Sequence, residues 1–229
     1  MLCARLIVSL QKKNTSPMKR TITIVVTMLL VALTTQAKKV TLTIDGTTRR
    51  TQTELYLIIN EDIDNAQKLT INDQHFSVTI TVDRNDFIRL HDYKGFPERS
   101  AYVLIPDSKH ITVNMENGSI EGSPLSQRLQ GEQNSIKRES PEHFHIDVFS
   151  DDPEAHRQAR IQEREMRSRM EESQKMVIRD VISRNQKNII PAWLVYCYHN
   201  LFTRGAEEMI NGSKAKWTKH TILSKIKRN

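Results

Sequence analysis

The chain has 229 residues, 34 Lys and Arg against 27 Asp and Glu, a formal charge of +7 and a mean hydropathy of −0.53. Five of the cations (Arg5, Lys12, Lys13, Lys19 and Arg20) and none of the anions fall in residues 1–37, so the remaining 29 cations face 27 anions, a net of +2. The basic pI therefore reports the first segment and is no argument for nucleic-acid binding, and with Cys197 the only thiol after Cys3 an internal disulfide framework is excluded for residues 38–229.

Residues 18–37 read as a bacterial secretory signal peptide. Lys19-Arg20 is the basic n-region, and Ile22–Leu33 is an apolar run of twelve, too short to span a bilayer. Thr35 and Ala37 are small residues where a signal peptidase reads. The expectation is a true start at Met18, removal of residues 1–37 by cleavage before Lys38, a periplasmic or cell-envelope location, and no stable membrane span afterwards. The residue directly after the cleavage site is Lys38 and not a cysteine, so a lipoprotein anchor is not expected.

Residues 38–122 are written in period two, the signature of half-buried strands. Val40, Leu42 and Ile44 alternate with Lys39, Thr41 and Thr43; Leu55, Leu57 and Ile59 with Glu54, Tyr56 and Ile58; Phe76, Val78, Ile80 and Val82 with His75, Ser77, Thr79 and Thr81; Ile111, Val113 and Met115 with His110, Thr112 and Asn114. Phe87–Leu90 and Tyr102–Ile105 add shorter strands. Turns fall at Asp45-Gly46, Asn72-Asp73, Pro106-Asp107 and Asn117-Gly118. Asn72-Asp73 predicts a hairpin joining Leu69/Ile71 to Phe76/Val78. The reading is an antiparallel β-sandwich or barrel with Phe76, Val78, Ile80, Ile111 and Val113 facing its core, packed against a C-terminal helical region, residues 123–229: an α+β chain.

Ser123-Pro124 opens a helix through Leu125 and Leu129, and Gly131 to Ser140 reads as loose and polar. Asp151-Asp152-Pro153-Glu154 starts a long helix running to about Asn188. Its front, His156–Glu172, is charged, with Glu163/Arg167 and Glu165/Arg169 as i,i+4 pairs. An apolar stripe forms from Met170 through Val177, Ile178, Val181 and Ile182. Asn188 caps a helix Ile189–Phe202, the most hydrophobic segment after residue 37, and a last helix spans Ala215–Lys227. Residues 38–125 carry 10 cations and 13 anions, a net of −3, whereas 126–229 carry 19 and 14, a net of +5.

The stretch Tyr102-Val-Leu-Ile-Pro-Asp-Ser-Lys-His-Ile-Thr-Val-Asn-Met-Glu-Asn-Gly-Ser-Ile-Glu-Gly-Ser-Pro-Leu-Ser-Gln-Arg-Leu129 resembles the end of an uncharacterised β domain, a domain of unknown function. That domain precedes the thioredoxin module in envelope thiol–disulfide oxidoreductases of the TlpA-like group of Bacteroides-type bacteria. Gly122-Ser123 and Leu125 match its pieces, Ser108 stands where a glycine is common, and the helix pair Ile178–Asn185 and Ile189–Tyr198 resembles its next segment. The resemblance covers most of residues 39–202. The Trp-Cys-x-x-Cys of the thioredoxin module is absent, no thioredoxin-sized remainder follows Phe202, and redox exchange needs a second thiol, so the family's activity does not carry over.

Three groups have the chemistry of possible sites. His143, His145 and His156 with Asp147, Asp151 and Asp152 have zinc-ligand chemistry, against the preferred reading of a polar linker whose acids precede a helix. Cys197 lies near His199, but residues two apart face differently on a helix, so the preferred reading is a small apolar packing residue. Lys214, Lys216, Lys219, Lys225, Lys227 and Arg228 form a cationic tail that could meet anionic headgroups or an acidic partner, against a packed terminal helix with a solvated basic face. No catalytic, cofactor-binding or metal residue is nominated. The expected role is an exported, non-enzymatic envelope protein acting as an interaction or accessory module, with no nucleic acid, no cofactor and possibilities for an envelope protein partner, a thioredoxin-like protein among them. The alternative is an accessory component of a thiol–disulfide oxidoreductase system, or the truncated product of a thioredoxin-containing oxidoreductase gene.

Overall fold

The structure, a computed structural model, describes residues 39–92, 102–140, 146, 152–202 and 205–226. The expected signal segment lies outside them. The described chain is α+β: eight strands in two mainly antiparallel sheets, followed by helices. The strands are β1 (Lys39–Thr47), β2 (Tyr56–Ile59), β3 (Gln67–Lys68), β4 (His75–Asp83), β5 (Ile88–His91), β6 (Tyr102–Leu104), β7 (His110–Asn114) and β8 (Ser119–Glu121). The first sheet has the order β4-β1-β7-β8 and the second β3-β2-β5-β6, and neither closes on itself among the described residues.

Alternation places one face of each sheet on a common apolar cluster. Leu42, Ile44, Ile111 and Val113 of the first sheet and Leu57, Ile88, Leu90 and Leu104 of the second share it. Burying side chains of this size contributes roughly 1.5–3 kcal/mol each. The five expected core positions all pack there, with a difference of degree. Phe76, Ile111 and Val113 are buried, while Val78 and Ile80 are half-buried because β4 is an edge strand. Gly46 faces the same core, where a Cβ would stand 1.9 Å from the Val113 carbonyl oxygen, so only glycine fits this backbone approach.

Two expectations for the strands are corrected. β1 pairs β7 in parallel, from Thr43 opposite His110 to Thr47 opposite Asn114. The intervening chain passes through the second sheet, which supplies the long crossover that parallel pairing needs. The expected hairpin shrinks to one bridge, in which Asn72 and His75 exchange both backbone bonds at 2.8 Å around Asp73 (φ 49°) and Gln74 (φ 67°). The turn chemistry is as read, but β3 belongs to the second sheet and β4 to the first, because the chain crosses between sheets there.

The helices are α1 (Pro124–Arg138), α2 (Pro153–Arg184), α3 (Ile190–Phe202) and α4 (Gly205–Gly212), then 3-10 turns at Lys216–Lys219 and Thr221–Lys225. Residues 131–138 are helical rather than loose: Glu132 and Ile136, one turn apart, are both buried, and Glu132 bonds Arg184 and Asn185. α2 is capped by Asp152, whose Oδ1 accepts the Glu154 amide at 3.0 Å, and ends at Asn185. α3 begins where Asn188 Oδ1 accepts the Ile190 amide at 3.0 Å. The continuous helix expected over 215–227 is replaced by the two 3-10 turns, with His220 in extended backbone (φ −68°, ψ 135°) between them. A second apolar cluster joins Phe87, Val103 and Ile105 of the strand region to Ile178, Trp193, Trp217 and Ile222. The second sheet is therefore covered on both sides, by the first sheet and by helices.

Candidate functional site

The outer face of the first sheet is built by the residues that alternate with its core. Thr43, Asp45 and Thr47 come from β1, Ser77 and Thr79 from β4, His110, Thr112 and Asn114 from β7, and Ser119 and Glu121 from β8. Across its end lies a concavity of about 710 Å³, to which Asp45, Thr47, Asn72, His75, Thr112 and Glu121 contribute. Among the described residues its lining holds hydroxyls, amides, a histidine and two carboxylates, and no Lys or Arg. The neighbouring Asp45 Oδ1 contacts His110 Nε2 directly. Such a surface offers hydrogen bonds to neutral or cationic groups and repels anions.

Beneath the second sheet lies a buried charged pair. β5 alternates, with Ile88 and Leu90 on the inter-sheet core and Arg89 opposite Ile58 and Val103 on the helix side. Arg89 Nε donates to Glu61 Oε1 at 2.7 Å. Nearby, burial first and the negative Glu61 second push the Tyr196 hydroxyl up to about 12, so it stays protonated. Glu61 sits in left-handed backbone (φ 58°), as does Asn60 (φ 48°). Asn60 is held by Phe87, donating its backbone amide to the Phe87 carbonyl at 2.8 Å and accepting the Phe87 amide on Oδ1 at 2.9 Å.

The C-terminal turns dock on this same corner. Lys225 Nζ donates to the Glu61 carbonyl at 2.8 Å. His220 Nδ1 accepts the Ile222 amide at 3.1 Å, so its Nε2–H donates to the Asn85 carbonyl. The His220 ring lies 4.9 Å from that of Phe87, which lies 5.2 Å from Trp193. Trp217 is buried and donates from Nε1 to Gln186 Oε1 at 3.1 Å.

The described residues place the candidate groups as follows. The tail is a packed segment whose apolar side chains enter the helical core and whose Lys225 is engaged, while Lys214, Lys216 and Lys219 are exposed and Lys227 and Arg228 lie outside the described residues. Of the candidate metal ligands, His143, His145, Asp147 and Asp151 also lie outside them; Asp152 serves as a helix cap and His156 lies on α2. Cys197 is half-buried on α3, packed against the helical core, and His199 Nδ1 bonds the Tyr196 carbonyl at 2.7 Å. Sequence reasoning missed Arg89 and Glu61, since a charge on an alternating strand reads as solvent-facing until helices cover it.

The stretch that carries the family resemblance forms one hydrogen-bonded joint. Asp107 Oδ2 accepts the Leu125 amide at 2.8 Å, Ser123 Oγ accepts the Ser126 amide at 3.1 Å, and Ser126 Oγ accepts the Ile105 amide at 2.8 Å. Gly122 turns at φ 81°, where a Cβ would stand 2.5 Å from the His110 carbonyl oxygen. Comparison with protein-family models, with curated proteins and with solved structures returns no match to the chain.

Proposed function

We propose that the chain is an exported, non-enzymatic envelope module, a two-sheet β-sandwich backed by helices, that receives a protein partner on the outer face of its first sheet. The observation that carries this reading is the composition of that face. Hydroxyl and amide side chains surround Asp45 and Glu121 in a concavity that has no Lys or Arg among the described residues, which suits a neutral or basic polypeptide segment. The resemblance at residues 102–129 supports a narrower version, in which the partner is a separate thioredoxin-like protein and this chain is its accessory. Asp107, Ser123 and Ser126, within the stretch that carries the resemblance, form the joint between strand and helix.

The test is photo-crosslinking in the producing cell with the reactive residue at Thr112, in the concavity, and a control at Arg164 on the charged face of α2. A protein captured at Thr112 alone, and lost when Asp45→Lys and Glu121→Lys are combined, supports the binding face. A Trp-Cys-x-x-Cys protein in that band selects the accessory reading. Equal labelling at both positions, or none at Thr112, refutes it. Amino-terminal sequencing of the envelope fraction tests export, with Lys38 expected as the first residue.

A further inference from the structure

The concavity reaches the free edge of its own sheet, where His75, Phe76 and Ser77 of β4 line it beside Asn72. β4 is the outermost strand and pairs with β1 along its whole length, Lys39 opposite Asp83 to Thr47 opposite His75. The Thr48 amide extends that ladder to the Gln74 carbonyl at 2.8 Å, whereas the Thr43 amide and Thr47 carbonyl bond toward β7 at 2.9 Å each. Even-numbered residues of β1 and β4 therefore bond each other, and odd-numbered residues of β4 direct their N–H and C=O groups away from the sheet. Both ends of that outward row are spent. His75 exchanges its groups with Asn72, while the Asp83 amide goes to Asp86 Oδ2 at 2.8 Å and the Asp83 carbonyl accepts the Asp86 amide at 2.9 Å. Between these ends Ser77, Thr79 and Thr81 are exposed, and their outward backbone groups have no partner among the described residues.

Open backbone of this kind templates another strand, and Phe76–Val82 contains none of the lysines or prolines that guard such edges. The free row from Ser77 to Thr81 matches a segment of five residues. The inward side chains of that segment lie level with Val78 and Ile80, which pack on the inter-sheet core yet stay half-buried, so apolar residues complete the core there. Its outward side chains lie level with Ser77, Thr79 and Thr81. Ser77 stands opposite Asp45 in the β1 register. A cation level with the small Ser77 side chain therefore reaches toward Asp45 across two strand spacings, about 10 Å, on the face that also carries Glu121. An anion in that place is repelled. A second copy's Phe76–Val82 carries no charge and offers no such cation. Resting on the binding-face reading above, we infer that the partner enters as an edge strand. It is an extended segment of another protein, apolar at the two inward positions and basic beside Ser77, and it lengthens the first sheet to five strands.

The probe is the capped peptide acetyl-Lys-Val-Thr-Val-Lys-amide, whose pattern fits the edge in either direction. Titrated to about 1 mM into the chain as isolated from cells, it should shift the backbone amide resonances of Ser77, Thr79 and Thr81. The same peptide with Glu in place of both Lys should bind about fivefold more weakly, and Asp45→Asn should remove most of that preference. N-methylation of the peptide tests the ladder. A methyl on the Thr amide should abolish binding of an antiparallel strand, and methyls on both Val amides that of a parallel one, so one modified peptide should bind and the other not. Thr79→Pro removes an outward N–H and should abolish both peptide binding and, in the producing cell, the capture at Thr112. Far-ultraviolet circular dichroism checks its fold, and where it does not fold the methylated pair carries the test. Absent shifts at Ser77, Thr79 and Thr81, equal affinity for the Lys and Glu peptides, or equal binding of both methylated peptides overturns the proposal. A dimer in sedimentation velocity that Thr79→Pro dissociates puts a second copy on the edge and overturns it as well. Capture at Thr112 that survives in folded Thr79→Pro leaves the binding face standing and refutes the added strand.

Discussion

Arg89 donates to Glu61 Oε1 across 2.7 Å, and their side chains are only 1% and 2% exposed. Two charges are thus committed to the interior between the second sheet and α3. Removing one partner strips the other buried charge of this contact, whereas removing both deletes the desolvation cost along with the attraction. Glu61→Gln is therefore expected to destabilise by about 3–5 kcal/mol. Glu61→Gln combined with Arg89→Met should cost less than the sum of the two single changes. Urea unfolding of the four proteins closes the cycle; additive costs would show that the two residues act separately.

His220 predicts a pH dependence with a definite sign. Burial lowers its pKa below the ordinary 6.5, partly opposed by the Asn85 carbonyl and the nearby Asp86 carboxylate. Its Nδ1 must stay unprotonated to accept the Ile222 amide. In the window between the folded and unfolded values the unfolded chain holds more protons, so stability rises with pH there. This contribution is full above about pH 6.5 and is lost as pH falls through the lowered folded value. Urea midpoints at pH 7.5 and 5.0 measure it. His220→Ala should reduce stability at the higher pH and flatten this part of the slope, and an unchanged slope would remove His220 as its source.

The joint at Asp107, Ser123 and Ser126 predicts a different pattern. Ser123 is buried, caps α1 and donates toward Asp107 Oδ1 at 2.5 Å. Ser123→Ala should cost about 1–2 kcal/mol, the usual loss for a cap. Asp107→Ala strips a partner from both Ser123 and the Leu125 amide, so its effect should overlap with that of Ser123→Ala rather than add to it. Thermal unfolding of both singles and the double variant decides this, and strict additivity would argue that the two residues belong to separate contacts.

How much of this was legible in the chain depended on what the pattern could report. Period two located β1, β4 and β7 and chose their core faces, because an open sheet buries only one side. The same rule failed at Ile88–His91, where Arg89 and His91 are buried: alternation reports chemistry along a strand and not which helices cover it. Residues 131–138 looked loose because the helix there buries a carboxylate, Glu132, and only its partners Arg184 and Asn185, some fifty residues away, make that tolerable. The C-terminal segment read as a helix from its composition, but a contact between His220 and Asn85, 135 residues apart, governs its break. The outer-face concavity was written in the polar members of the alternating pairs. Its assembly from four strands depended on the parallel pairing of β1 with β7, which local turn signals do not encode.

The edge position of β4 separates two residues that the alternation treats as equals. Ile111 lies on a central strand and is fully buried, while Val78 lies on the edge and is half-buried. Ile111→Ala should cost about 2–5 kcal/mol, since it deletes apolar contact and leaves a cavity. Val78→Ala should cost less, because solvent already reaches the site and neighbouring side chains can close over it. Urea midpoints of the two variants and the parent read the difference. A Val78 penalty equal to that of Ile111 would place β4 inside the sheet rather than at its edge.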